Sequence, residues 1–156
     1  MDIIRTVKYS RDGTSLITIA DDKTLRMWDV RSYRSVVFRL PQKGTIAFSN
    51  ETETIASVNK SYLKVWNIKS MANEYVLEGH NDLITSVYFS IDGTLIITGS
   101  RDTSLKLWSV KKGELLKTYI GHSTEVITAK ISPSKRIIAS SSKDSDLIVW
   151  DLDSRR

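Results

Sequence analysis

Ser140, His122 and Asp144 are of the types that make a nucleophile, a general base and the carboxylate that orients the base. Thr98, His80 and Asp102 repeat the set 42 residues earlier. That repetition weighs against acyl transfer. A nucleophilic hydroxyl needs an oxyanion hole and an open cleft, and it is not expected twice at the same period. The two histidines make no convincing metal site, because they stand in equivalent places and each has its own carboxylate nearby in the pattern. The chain has no cysteine, which removes thiolate ligands and disulfides alike. Its seven glycines are isolated, so nothing cradles a phosphate. No cofactor and no metal are expected.

What positions these residues is a repeat. The four tryptophans, Trp28, Trp66, Trp108 and Trp150, follow one another at steps of 38, 42 and 42 residues. At an offset of 80, residues 2–30 and 82–110 share Asp12/Asp92, Gly13/Gly93, Thr18/Thr98, Asp22/Asp102 and Trp28/Trp108, among others. Each repeat reads as four short strands. "TVKYS" and "SVYFS" are first strands, half apolar. Asp-Gly follows, the strongest two-residue hairpin signal. "SLITIA" and "LIITGS" are second strands, apolar on both faces and so expected to be buried on both. Third strands end on the tryptophan, and "SVVFRL", "EYVLEG" and "ELLKTYIG" are fourth strands. No helical periodicity competes. Pro41 and Pro133 fall at breaks between strands.

Four strands in about 40 residues make a propeller blade. Gly79-His80 and Gly121-His122 each stand 28 residues, counted from the histidine, before a tryptophan, and Trp-Asp is intact at Trp28-Asp29 and Trp150-Asp151. It is Trp66-Asn67 and Trp108-Ser109 in the other repeats. Over its whole length the chain resembles the WD40 β-propeller family. The fold implied is all-β, a partial propeller of four blades at about 1–40, 41–78, 79–120 and 121–156. The last blade lacks its outer strand, since only "DLDSRR" follows Trp150.

The resemblance also implies a structural role for the polar sets. They match the buried chain Trp–Ser/Thr–His–Asp that ties strands within a blade, and the donors and acceptors balance in it. The chain reads as complete in repeat 3 (His80, Thr98, Asp102, Trp108) and in repeat 4 (His122, Ser140, Asp144, Trp150). Repeat 1 has Thr18, Asp22 and Trp28, and its histidine would fall one place before Met1. Repeat 2 has lost the pattern: counting back from Trp66, Ala56 replaces the hydroxyl and Lys60 the aspartate, and its first hairpin is one residue shorter.

Composition fits an ordinary globular chain, 40% hydrophobic and 26% charged, with no apolar run long enough to span a bilayer. The net charge of +5 is spread without a basic block, which argues against direct nucleic-acid binding. With no export signal at the N-terminus, an intracellular location, cytoplasm or nucleus, is expected.

An open set of four blades leaves an apolar face, of Ile17/Ile19 or of Ile137/Ala139, toward water. Three accounts compete. The chain is a piece of a longer propeller, the account favoured; or a second copy or a partner chain supplies blades; or four blades close into a ring. The resemblance implies a non-catalytic scaffold for proteins or peptides, touching nucleic acid only indirectly and no membrane. Its binding positions would be turn residues: Asp21, Asn59, Arg101 and Lys143 before the third strands, and Arg5 and Thr85 at the start of first strands. The alternative is a WD40 subunit of an RNA-processing or ribosome-assembly complex. Repeat 4, "SSKDSDLIVWDL", is similar to a blade of the small-subunit processome propellers.

Overall fold

A computed structural model of the chain describes residues 3–10, 12–39, 45–49, 51–67 and 73–152. All of its regular structure is antiparallel β, in four sheets. The chain divides into two compact units, Met1–Gly44 and Thr45–Arg156.

The first unit is one sheet in the order β1 (Ile4–Tyr9), β2 (Ser15–Ala20), β3 (Thr24–Asp29), β4 (Ser35–Arg39). The second unit holds three sheets. One is β5 (Ile46–Ser49), β6 (Thr54–Asn59), β7 (Tyr62–Asn67), β8 (Asn73–Leu77). The next is β9 (Ile84–Phe89), β10 (Leu95–Ser100), β11 (Ser104–Ser109), β12 (Glu114–Ile120). The last is β13 (Val126–Ile131), β14 (Ile137–Ser142), β15 (Leu147–Asp151). Neighbours in sequence are neighbours in space throughout, so each sheet is a meander, the hydrogen-bonding pattern of a blade.

The second unit keeps its core between sheets. Ile96 and Ile97 are adjacent on β10, so their side chains leave opposite faces. Both are fully buried: Ile96 packs with Leu63, Val65 and Trp108 on the side of the β5–β8 sheet, and Ile97 with Leu105, Val126 and Ile138 on the side of the β13–β15 sheet. This is why "LIITGS" is apolar on both faces. Burying one such isoleucine contributes about 1.5–3 kcal/mol. Among the described residues β14 has one such neighbour. Ile138 is buried, whereas Ile137, and Val149 and Leu147 on β15, stand 42%, 58% and 71% exposed. The expected open apolar face is thus found at Ile137, with Ala139 half-covered; Ile17 in the first unit is buried.

The Asp-Gly hairpins differ from the two-residue turns expected. Five residues join β9 to β10, 90–94. The Gly93 N–H donates to the Ser90 carbonyl at 2.9 Å and Gly93 sits at φ +70°, where a Cβ would lie 2.3 Å from Ser49 Oγ. Asp92 supplies the rest: one of its oxygens accepts from the Ser90 hydroxyl and from the Thr94 backbone and hydroxyl. Asp12 does the same for Ser10 and Thr14. In the last sheet Lys135 takes the left-handed place, at φ +56°. The first hairpin of the β5–β8 sheet is one residue shorter, 50–53, as read. Pro133 falls in the β13–β14 connection, and Pro41 lies outside the described residues.

Three of the first strands, β1, β9 and β13, carry a bulge at a constant place. The register slips between Ile4 and Thr6, opposite Gly99/Ser100 at Thr85, and between Val126 and Thr128. The extra residues are Arg5, Thr85 and Ile127. A bulge bends its strand and increases its twist.

Candidate functional site

The tryptophan positions the polar groups by strand register. Trp28, Trp66, Trp108 and Trp150 stand opposite Leu16, Ile55, Ile96 and Ile138 on the neighbouring second strand. Two residues further on, the same face carries Thr18, Ser57, Thr98 and Ser140. Each indole Nε1–H donates to that hydroxyl, at 3.0, 3.2, 3.0 and 2.8 Å.

This corrects the reading of repeat 2. Its hydroxyl is not lost, for Ser57 supplies it, and Ala56 is core. The turn from β6 to β7 is only two residues, Lys60 and Ser61, against three from β10 to β11. Counting back from Trp66 therefore slips by one. Lys60 does not replace the aspartate; it takes the left-handed turn conformation at φ +55°, in a turn one residue shorter than the one that holds Asp102.

In the β9–β12 sheet the chain is continuous. The Thr98 hydroxyl lies 2.7 Å from His80 Nε2, and His80 Nδ1 lies 2.8 Å from Asp102 Oδ2. Asp102 also accepts from the Asn81 backbone N–H and from the backbone and hydroxyl of Ser104. The proton count closes when neutral His80 carries its proton on Nδ1, donating to Asp102, and accepts at Nε2 from Thr98. Burial pushes the His80 pKa down, against the opposing pull of Asp102. Burial works to raise Asp102, but its hydrogen bonds, that of Ser104 foremost, outweigh this and hold it at about 2.

The β13–β15 sheet departs from the expectation of a second complete chain. His122 Nε2 is 2.8 Å from the Ser140 hydroxyl, but His122 Nδ1 is 3.8 Å from Asp144 Oδ2 and has no hydrogen-bond partner. That oxygen instead accepts from the Ser123 backbone and hydroxyl at 3.1 and 2.9 Å. The other oxygen accepts from Ser142 and from the backbone of Asp146, and these bonds, that of Ser142 first, hold Asp144 well below the usual carboxylate range. In the first sheet Asp22 caps its own turn through Thr24.

Glycine precedes each histidine because the indole needs the space. A Cβ on Gly121 would lie 2.7 Å from Trp150 Cη2, and one on Gly79 3.2 Å from Trp108 Cη2. Gly-His is thus one packing unit with the tryptophan.

The structure also places the turn residues. Arg101 and Lys143 both pair with Glu125, Arg101 Nε at 3.0 Å from Oε2 and the Lys143 ammonium on Oε1. They join the turns of neighbouring sheets, though such exposed pairs contribute at most about 1 kcal/mol each. Asn59 is not a turn residue; it ends β6 and its amide donates to the Tyr62 hydroxyl. Asp21 stands in the β2–β3 turn, its N–H on the Ile3 carbonyl. Thr85 is half-buried, its hydroxyl 3.0 Å from the Gly99 carbonyl and 2.5 Å from that of Val126, so its role is to hold the bulge against the next sheet. The Arg5 side chain lies outside the described residues. The Asp92–Lys135 pair, which sequence reasoning missed, joins the first hairpins of the last two sheets. Among the described residues no group of histidines and carboxylates could hold a metal ion, and no helix is long and apolar enough to cross a membrane.

The WD40 family profile, "WD domain, G-beta repeat", matches residues 2–29, 72–109 and 113–151, more than half of the chain. The chain belongs to the WD40 family. The matches leave out 30–71, most of the divergent second repeat. Among curated WD40-type relatives, a WD repeat domain-containing protein 83 homolog from Dictyostelium discoideum is 28% identical over 104 residues, covering 64% of this chain and 32% of that one. Guanine nucleotide-binding protein subunit beta-5b of Danio rerio is 28% identical over 107 residues, 64% of this chain and 27% of the relative. Pre-mRNA-splicing factor cwf17 of Schizosaccharomyces pombe is 25% identical over 88 residues, covering 54% and 26%. The chain thus spans about a third or less of the length of these relatives. WD40 membership and such relatives support a protein-interaction scaffold.

The hydroxyls of the two sets are sealed. Thr98 is fully buried and Ser140 is 1% exposed. A serine-directed acylating reagent is expected to leave both unlabelled. Mass spectrometry checks this, and labelling of Ser140 that His122→Ala abolishes would overturn the structural reading.

Proposed function

We propose that this WD40 chain is a non-catalytic scaffold that presents its turns to other proteins or peptides inside the cell, in the cytoplasm or nucleus. The four repeats, at about 1–40, 41–78, 79–120 and 121–156, are its blades. The observation that carries this reading is the use of the chemically suggestive side chains. Both histidines are turned inward onto buried hydroxyls, and a tryptophan closes each from the other side. The surface left for partners is the set of turns at Asp21, Arg101 and Lys143 and the first-strand residue Arg5. The exposed face of β14 and β15 is a surface that further blades, from the same or another chain, would cover. This fits the small share of its relatives' length that the chain covers.

A second reading, a WD40 subunit of an RNA-processing or ribosome-assembly complex, has one observation in its favour: the similarity to a pre-mRNA-splicing factor. Affinity capture with and without nuclease separates the two. A scaffold keeps its partners after nuclease and loses them when Arg101 and Lys143 are both changed to glutamate. Partners that depart with the RNA would support the second reading and overturn the first.

A further inference from the structure

Two sheets show apolar faces to solvent, and the faces are the two halves of a contact found inside the second unit. In the first sheet Ile4, Val7, Tyr9 and Val30 stand where the β9–β12 sheet has Ile84, Val87, Phe89 and Val110. The latter four are buried in the cluster shared with the β5–β8 sheet. Their counterparts in the first sheet are 55%, 53%, 59% and 37% exposed. The β13–β15 sheet shows the other half. Leu147 and Val149 pair with Ser141 and Ala139 as Leu63 and Val65 pair with Val58 and Ala56. Leu63 and Val65 are fully buried in that same cluster, whereas Leu147 and Val149 are mostly exposed.

We propose that a second copy of this chain covers the β13–β15 face with its own first sheet, as the β9–β12 sheet covers the β5–β8 sheet. Two turn positions fit this occupant. Gly93 has no room for a Cβ, which would lie 2.3 Å from Ser49 Oγ, but the same place at Gly13 has nothing within 4 Å. The turn itself does not demand glycine, since Lys135 holds the equivalent place at φ +56°. The space kept at Gly13 is where the other copy's Ser132, the counterpart of Ser49, would stand. The second position is Gly113, which lies under the ring of Tyr75 on β8; a Cβ there would be 2.1 Å from Tyr75 Cδ1. Its counterpart in the first sheet is Tyr33, 83% exposed at φ +56°. A side chain at that place excludes a covering sheet with a ring like that of Tyr75. The β13–β15 sheet has no fourth strand among the described residues, so it leaves room for Tyr33. The two copies thus meet through different faces, a heterologous contact, driven by removal of apolar surface from water. The proposal rests on the reading of the sheets as blades. It does not involve the turns at Arg101 and Lys143, so loss of self-association leaves capture of partners there intact, and the reverse.

Light scattering of the 156-residue chain over a dilution series at micromolar concentration tests it. The mass is expected to reach at least twice the 17.7 kDa of one chain and to fall on dilution. Leu147→Glu with Val149→Glu, and separately Val7→Glu with Tyr9→Glu, are each expected to be monomeric. All four positions are exposed, and circular dichroism checks that both variants keep the fold. Mixed, the two variants are expected to form a one-to-one pair and to stop there, because each keeps the face that the other has lost. Tyr33→Gly, added to the variant with the intact first sheet, is expected to weaken that pair about tenfold. An unaltered chain that stays monomeric, as it would if the two faces belong to blades of other sequence, would overturn the proposal. So would association that either double variant leaves intact, or a mixture that remains monomeric.

Discussion

Replacing Trp108 by alanine is expected to cost about 3–5 kcal/mol, a large part of the stability of a domain this size. Trp108 is 2% exposed and stands in the cluster with Leu63, Val65 and Ile96, between two sheets. Its indole also lies over Gly79 and donates to Thr98. The alanine variant loses the packing, opens a cavity beside Gly79, and leaves the Thr98 oxygen one donor short. Trp150 is only half-buried, so Trp150→Ala should cost less. Urea denaturation followed by circular dichroism measures both. A loss below about 1 kcal/mol at Trp108 would show that the inter-sheet cluster is not the centre of the core.

The second large effect lies in the polar chain and depends on pH. Asp102→Ala removes the acceptor of a fully buried imidazole N–H and is expected to cost about 1–3 kcal/mol at neutral pH. Asp144→Ala should cost less, because His122 Nδ1 is already unpartnered. The pH course follows from the two depressed pKa values. His80 titrates lower in the fold than its ordinary 6.5, so below that value the unfolded chain binds more protons and stability falls with pH. Asp102, at about 2 against an ordinary 3.8, adds stability that is fully present above 3.8 and is lost as pH falls through 2. The gap between the unaltered chain and Asp102→Asn should therefore narrow from pH 3.8 downward. Urea midpoints taken between pH 3.8 and 2 test it; a gap that widens there would refute the assignment.

Much of this was legible in the sequence because it is governed by spacing. The beat of the tryptophans, the hydroxyl ten residues before three of them, and Gly-His at a fixed distance all follow from strand length and pleat. They come out as Trp108 opposite Ile96 with Thr98 two places on. Ala56 shows where counting fails. A residue removed from a turn is invisible from one end, and only the pairing of Ile55 with Trp66 reveals that Ser57 holds the hydroxyl's place. The broken link at His122 was hidden for another reason. Residue types at the four positions are right, and the outcome is decided by a fifth, Ser123, competing for one carboxylate oxygen. Thr85, by its place at the start of a first strand, reads as a candidate binding position, whereas the bulge turns its hydroxyl onto two backbone carbonyls.

The meander order of the sheets has a mechanical consequence. In each sheet of the second unit, strands joined by tight turns lie side by side, and the last strand passes directly to the first strand of the next sheet, as from β12 to β13. A pull applied at Asp151 loads the β14–β15 ladder at one end, so its hydrogen bonds open one after another and not all together in shear. The strand at risk is the one with an exposed apolar face and no outer neighbour among the described residues. The β9–β12 sheet keeps both faces covered until the β13–β15 sheet has opened. Under tension this chain should come apart like a zip from its C-terminal side, with resistance set by how many sheets still have company on both faces.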